Sequence, residues 1–98
     1  MLVFRKPLAF EWDRGNRGKN ERRHGVTDGE CEEVFFDSRK RILHDALHSG
    51  AEERYLLIGA TQAQRVLFIV FTMRSHWIRI ISARDLNRKE RHLYGKAA

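Results

Sequence analysis

From His76 to Tyr94 the chain reads HWIRIISARDLNRKERHLY, an apolar alternation that gives way at once to a run of cations. Guanidinium groups in such a place suit one chemistry above others, the gripping of a phosphate. Their planar fork of N–H donors matches phosphate oxygens two at a time and keeps its charge at any physiological pH. Arg54, Arg65, Arg74, Arg79 and Arg84 fall in or beside apolar runs, and Arg88, Lys89 and Arg91 follow the last of them. Arg79 is the most informative. It interrupts Trp77-Ile78 and Ile80-Ile81 and shares a strand face with Trp77 and Ile81. A charge there is partly stripped of water and needs a carboxylate, a phosphate or an open groove. A salt bridge, to Glu53 or Glu33 for instance, is the plain alternative. The number of cations nearby tips the reading to phosphate. For Arg88, Lys89 and Arg91 the plain alternative is the solvated face of a short terminal helix.

The other reactive side chains carry weaker signals. His24 precedes Gly25, a place for a helix-ending cap or a buried, hydrogen-bonded imidazole rather than a base. His44 and His48 have the i, i+4 spacing of two zinc ligands on a helix. They bracket a strand end and a loop, however, and no second cysteine exists to complete a set, so no metal site is expected. Asn87 and Glu90 have N-cap and N3 spacing, which makes Glu90 a capping residue in the plain reading. Trp77 and Tyr94 belong to types found more often in cores than as stacking platforms. Cys31 is the single cysteine, so no internal disulfide forms. No nucleophile elbow, P-loop, zinc-protease helix or paired-carboxylate motif is present.

The elements that must position these side chains form one small domain of 98 residues. At that length folding buries roughly 60–68% of the unfolded surface, enough for one core. The net charge of +6 and a pI near 10.1 favour an anionic partner, nucleic acid or an acidic protein. No window approaches about 18 consecutive apolar residues, and the apolar run in MLVFRKPLAF is too short for a signal peptide. A cytoplasmic protein without a membrane segment is expected.

Along the chain, residues 2–4 and 8–12 suggest a short first strand. Residues 13–25 contain no apolar side chain and include Gly15 and Gly18, so they read as a loop, or as a helix held only by tertiary contacts. Thr27 and Glu30 form a capping box, and Cys31, Val34 and Phe35 at i, i+3 and i+4 predict a helix over about 28–36 with Cys31 facing the core. A strand over 39–44, a loop over 45–52 and three strands over 53–60, 65–74 and 77–84 follow. The links TQAQ and SH are short, so these three strands form an antiparallel meander. Val66, Phe68 and Val70 point one way and Leu67, Ile69 and Phe71 the other. A last helix over about 87–96 has too little apolar material to cover the second face. The sheet must curl on itself or be covered by another chain, with the second slightly preferred.

The residues alone lead to a small basic α+β domain that binds an anion and another protein. Several stretches, taken together and in order, resemble the BrnT family of bacterial toxins. These are small ribonucleases with a RelE-like fold from type II toxin–antitoxin systems. The stretches are FEWD (10–13), NERRHGV (20–26), ECEEVFFD (30–37), DALHSGAEERY (45–55), IGA (58–60) and IRIISARDLNRKERHLY (78–94). The last is the most specific. Asn16 and Asp85 depart from the lysines common in the family, and Asp28 from an aromatic residue.

The resemblance implies an antiparallel sheet of about four to five strands, two N-terminal helices (the first over 13–24) and a C-terminal helix. It implies a concave surface for RNA or antitoxin, and no cofactor. It also implies a BrnA-like antitoxin, whose ribbon-helix-helix part binds operator DNA on behalf of the pair. The implied reaction is metal-independent RNA cleavage by attack of a ribose 2′-hydroxyl on the adjacent phosphate. Arg79 and Arg84 would take the phosphate with Arg54 or Arg74 in support, and Arg88, Lys89 and Arg91 would make further RNA contacts. His24 is the base candidate by chemistry, followed by Glu90 and Tyr94. Two rivals stand beside this: a non-enzymatic nucleic-acid-binding module, and a degenerate toxin that acts only as co-repressor.

Overall fold

A computed structural model describes residues 2–94. Its frame is a five-stranded sheet of β1 (Ala9–Phe10), β2 (Arg41–His44), β3 (Arg54–Ala60), β4 (Val66–Arg74) and β5 (Trp77–Asp85), in spatial order β1-β5-β4-β3-β2. The meander of β3, β4 and β5 is as expected, and β2 adds to it antiparallel. β1 instead runs parallel to β5, over two residue pairs. A parallel neighbour needs a long crossover, and here most of the chain lies between the two strands. The sheet is therefore mostly, not wholly, antiparallel.

Alternation along β4 sets the layers. Leu67, Ile69 and Phe71 join Leu57, Ile78, Ile80 and Ala83 in the core, against Val26, Cys31, Val34 and Phe35 from the helical side. Phe35 meets Phe4, Phe10 and Phe71 edge-on, with centroids 5.9, 5.3 and 5.1 Å apart. Cys31 is fully buried, and desolvation pushes its thiol up to about 12, so it packs as a small hydrophobe. The helix that carries it, α2 (Asp28–Glu33), starts with the expected Thr27–Glu30 capping box and tightens into a 3₁₀ turn at Val34–Phe36.

The helix α1 (Lys19–His24) is shorter than the resemblance implies and has no apolar face. Polar side chains hold it. Beyond β1 the outer edge of β5 is unpaired, and this segment satisfies it. Asn16 donates from Nδ2 to Ile80 O, Lys19 Nζ donates to Ile81 O, and Ala83 N donates to Asn20 Oδ1 at 3.0 Å. Asn16 and Asn20 are buried, so the helix replaces a missing strand with amide side chains. Gly18 and Gly25 bound it at φ of 67° and 68°, the left-handed region that suits glycine.

The last segment is a 3₁₀ turn over Arg88–Leu93, not a helix to Lys96, and Gly95 and Lys96 lie outside the described residues. Asn87 and Glu90 do form a capping box. With no apolar stripe behind it, the turn does not propagate into an α-helix. The second sheet face stays half-buried at Leu43, Leu56, Val66, Phe68, Val70 and Ile81. No helix among the described residues is long and apolar enough to cross a membrane.

Gly59 shows how tightly the layers meet. A Cβ built there would lie 2.9 Å from Val34 O, a backbone atom that cannot swing aside. Gly59→Ala is expected to destabilise the domain by roughly 1–3 kcal/mol through overpacking. Urea unfolding measures it, and an unchanged midpoint would show that α2 and β3 are not in this contact.

Candidate nucleic-acid interface

On the open face the residues stand in rows set by strand register. Arg54, Thr72 and Arg79 form one row across β3, β4 and β5; Leu56, Val70 and Ser82 the next; Ile58, Phe68 and Arg84 a third. Arg79 and Arg84 are five residues apart, and in a regular strand they would face opposite sides. A bulge changes this. Val70 pairs with Ser82 and Phe71 with Ile80, which leaves Ile81 as an extra residue in β5. Both arginines therefore reach the open face. A concavity of about 360 Å³ lies there, lined by Asp45, His48, Arg54, Leu56, Phe68, Val70, Ile81 and Ser82. Arg84 borders it, with its guanidinium carbon 4.3 Å from the centre of the Phe68 ring.

The cations differ in how they are held. Arg84 makes a two-pronged pair with Glu90, at 2.8 and 2.7 Å, and also donates to Asp85 O. The pair raises Arg84 and holds the Glu90 carboxyl below its usual range, so Glu90 is charged and occupied. Arg79 is paired with Glu11 at 3.0 Å and with both oxygens of Asp13 at 2.9 and 3.0 Å. The carboxylates it meets are thus Glu11 and Asp13 rather than Glu53 or Glu33. Glu53 instead contacts His44, and Glu33 accepts from Gln62 N. Arg74 donates to Glu52 at 2.8 Å and to Glu11 at 3.3 Å. Around Arg74 and Arg79, two positive charges meet the three negative ones of Glu11, Asp13 and Glu52, so that corner has no surplus positive charge for a phosphate.

Arg54 is different. Among the described residues its guanidinium has no hydrogen-bond or ion-pair partner, although its field helps hold Glu52 low. Arg88, Lys89 and Arg91 are exposed on the terminal turn.

Of the proton-transfer candidates, Glu90 is held by Arg84, while His24 and Tyr94 lie away from this concavity. His24 ends α1 on the helical side of the sheet. There Arg65 bonds Asp85, Glu30 and the carbonyls of His24 and Gly25. Arg84 is on the opposite face. Tyr94 donates to Asp37 at 2.6 Å, beneath Arg39, and borders other hollows. Burial and Asp37 both raise its pKa, so it holds its proton tightly.

What sequence reasoning passed over is Asp45 with His48. The i, i+4 spacing pairs His48 with His44, yet those two side chains diverge. His44 turns to Glu53 and Tyr55, while His48 Nδ1 meets the Asp45 carboxylate at 2.9 and 3.1 Å. The available signal was the Asp-x-x-His spacing of a capped turn. Among the described residues no group of three or more His, Cys, Asp or Glu could hold a metal ion.

The family model described as "Ribonuclease toxin, BrnT, of type II toxin-antitoxin system" matches residues 12–90. The chain belongs to the BrnT family. Among curated proteins no sequence matches it. Membership makes the chain a ribonuclease toxin of a type II system, with an antitoxin as its partner. The matched span includes Asp45, His48, Arg54, Arg84 and Glu90, and stops short of Arg91 and Tyr94.

The ion pairs of this BrnT toxin have a pH signature. Arginine partners hold Asp13, Glu52, Asp85 and Glu90 below the ordinary carboxylate range. Acid therefore protonates the unfolded chain first, and the stabilisation is complete above the ordinary range and lost as pH falls through the folded values. The thermal midpoint is expected to hold to about pH 5 and drop below about pH 4. Glu90→Gln should make that drop shallower. A midpoint flat down to pH 3 would rule out these pairs in solution.

Proposed function

We propose that this BrnT toxin is a metal-independent endoribonuclease of the cytoplasm that binds RNA across the open sheet face. A BrnA-like ribbon-helix-helix antitoxin neutralises it, and operator DNA is met only through that antitoxin. The observation that carries the reading is a concavity lined by Arg54 and Phe68, with the Arg84 guanidinium stacked on the Phe68 ring. An unpaired guanidinium, a second one bordering the same hollow and an aromatic ring are what a single-stranded nucleotide needs: two phosphate contacts and a stacking surface.

In the reaction the ribose 2′-oxygen attacks the neighbouring phosphorus, and negative charge builds on the phosphorane oxygens. Arg54 meets that charge directly. Arg84 meets it by exchanging Glu90 for phosphate, one anion for another, with the guanidinium already oriented by Phe68. Each such fixed donor contributes about 2.7–4 kcal/mol to transition-state stabilisation. Arg79 and Arg74, matched by carboxylates, hold the loop of residues 11–13 and the hairpin in place. Arg88, Lys89 and Arg91 extend the basic track along the RNA. The half-buried apolar side chains of the same face supply the surface an antitoxin covers.

Expression without antitoxin should arrest growth, and purified toxin should shorten RNA in the presence of EDTA. Arg84→Ala should lower cleavage roughly 10²–10³-fold, with a thermal midpoint lowered no further than in Glu90→Gln, which breaks the same pair. A fully toxic Arg84→Ala variant would overturn the assignment, and a gel shift without shortening would point to a binding module. Asp85 neutralising Arg65, at a position where lysine is common, favours a second reading, a toxin that serves only as co-repressor. That toxin would form the antitoxin complex without arresting growth.

A further inference from the structure

We infer that His48, oriented by Asp45, is the general base of this site, an inference that rests on the ribonuclease reading above. The two residues belong to the loop before β3, which is tied down rather than loose. Asp45 N donates to Arg54 O at 2.9 Å, Ser49 Oγ donates to Asp45 O at 2.7 Å, and Arg54 N donates to Ser49 Oγ at 2.9 Å. Asp45 also accepts from His48 N at 3.3 Å, closing a 3₁₀ turn over Ala46–His48. Its carboxylate has a side-chain exposure of 14%, against 68% for His48. The anchored partner is thus the buried one and the working ring is the accessible one.

With Nδ1–H donated to Asp45, the tautomer is set and Nε2 carries the free lone pair. Asp45, His48 and Arg54 line the same concavity as Phe68, which Arg84 overlies from its border. A phosphodiester held by Arg54 and Arg84 therefore has an oriented imidazole at its side. His44, which turns away to Glu53, has no such place.

His48 Nε2 takes the proton of the 2′-hydroxyl, and the 2′-oxygen bonds to the adjacent phosphorus. The bond from phosphorus to the 5′-oxygen of the next nucleotide breaks, leaving a 2′,3′-cyclic phosphate. The departing 5′-oxygen takes a proton from a solvent water molecule, and the resulting hydroxide takes the proton held by His48. No net proton or electron is consumed. Asp45 touches no reacting atom and is a positioning residue.

The test uses the full chain and its variants in a cell-free translation extract, which supplies both free and ribosome-bound RNA. His48→Ala is expected to cleave roughly 10²–10⁴-fold more slowly than wild type, with added imidazole restoring part of the rate. Asp45→Asn is expected to slow cleavage while RNA affinity stays level, and His44→Ala to cleave like wild type. Wild-type cleavage by His48→Ala beside an inactive Arg84→Ala would overturn the dyad and leave the ribonuclease reading standing. A His48→Ala loss that imidazole does not restore, in a variant melting at the wild-type temperature, would also overturn the base role. A wild-type chain that leaves all RNA intact would overturn both.

Discussion

One extra residue in β5 decides which side chains can work together. Ile81 has no partner opposite Val70 and Phe71, and the strand's alternation is shifted by one from that point on. Arg79 before the bulge and Arg84 after it share the open face, while Ile78, Ile80 and Ala83 all stay in the core. Without the bulge, placing Arg84 beside Phe68 would turn Ile78 and Ile80 out to water. Burying an isoleucine is worth about 1.5–3 kcal/mol, so two of them outweigh one exposed cation–π contact. The bulge removes that conflict.

Charge on this molecule is distributed by function more than by amount. The sequence carries 19 Lys and Arg against 13 Asp and Glu, yet the strand arginines are not equally available. Arg65, Arg74 and Arg79 are committed to carboxylates that fasten the helices, the hairpin and the loop after β1. Among the described residues Arg54 has no such partner, and Arg84 has one, Glu90. A cation held by two carboxylates is a structural clasp, and a phosphate approaching it meets net negative charge.

Stability and function meet again at the edge of β5. An open edge beside the half-buried sheet face would expose unpaired backbone groups to other chains. The amides of Asn16 and Asn20, with Lys19, close it without adding apolar surface. Asn16 belongs to this seal, donating to the carbonyls of Glu11 and Ile80, so an amide at this position has a local structural use. The same residues explain why a segment with no apolar face folds as a helix: its binding energy is hydrogen bonding to a strand edge, not burial of a stripe.

Period-two alternation in 53–60, 65–74 and 77–84 with two short links determined the meander, because links that short join only antiparallel neighbours. The Thr27–Glu30 box determined the start of α2, because its two hydrogen bonds are local. Six stretches in order, from FEWD (10–13) to IRIISARDLNRKERHLY (78–94), carried the family resemblance, the last being the most specific. Tertiary structure alone decided the parallel seat of β1 and the helical state of 19–24, which depend on residues more than 60 positions away, and it selected the carboxylate partner of each strand arginine, from Glu90 for Arg84 to Glu11 and Asp13 for Arg79. It alone brought Asp45 and His48 beside Arg54 and Phe68. Spacing reports which residues can share a turn, but a bulge and a sheet register determine which turns share a cavity.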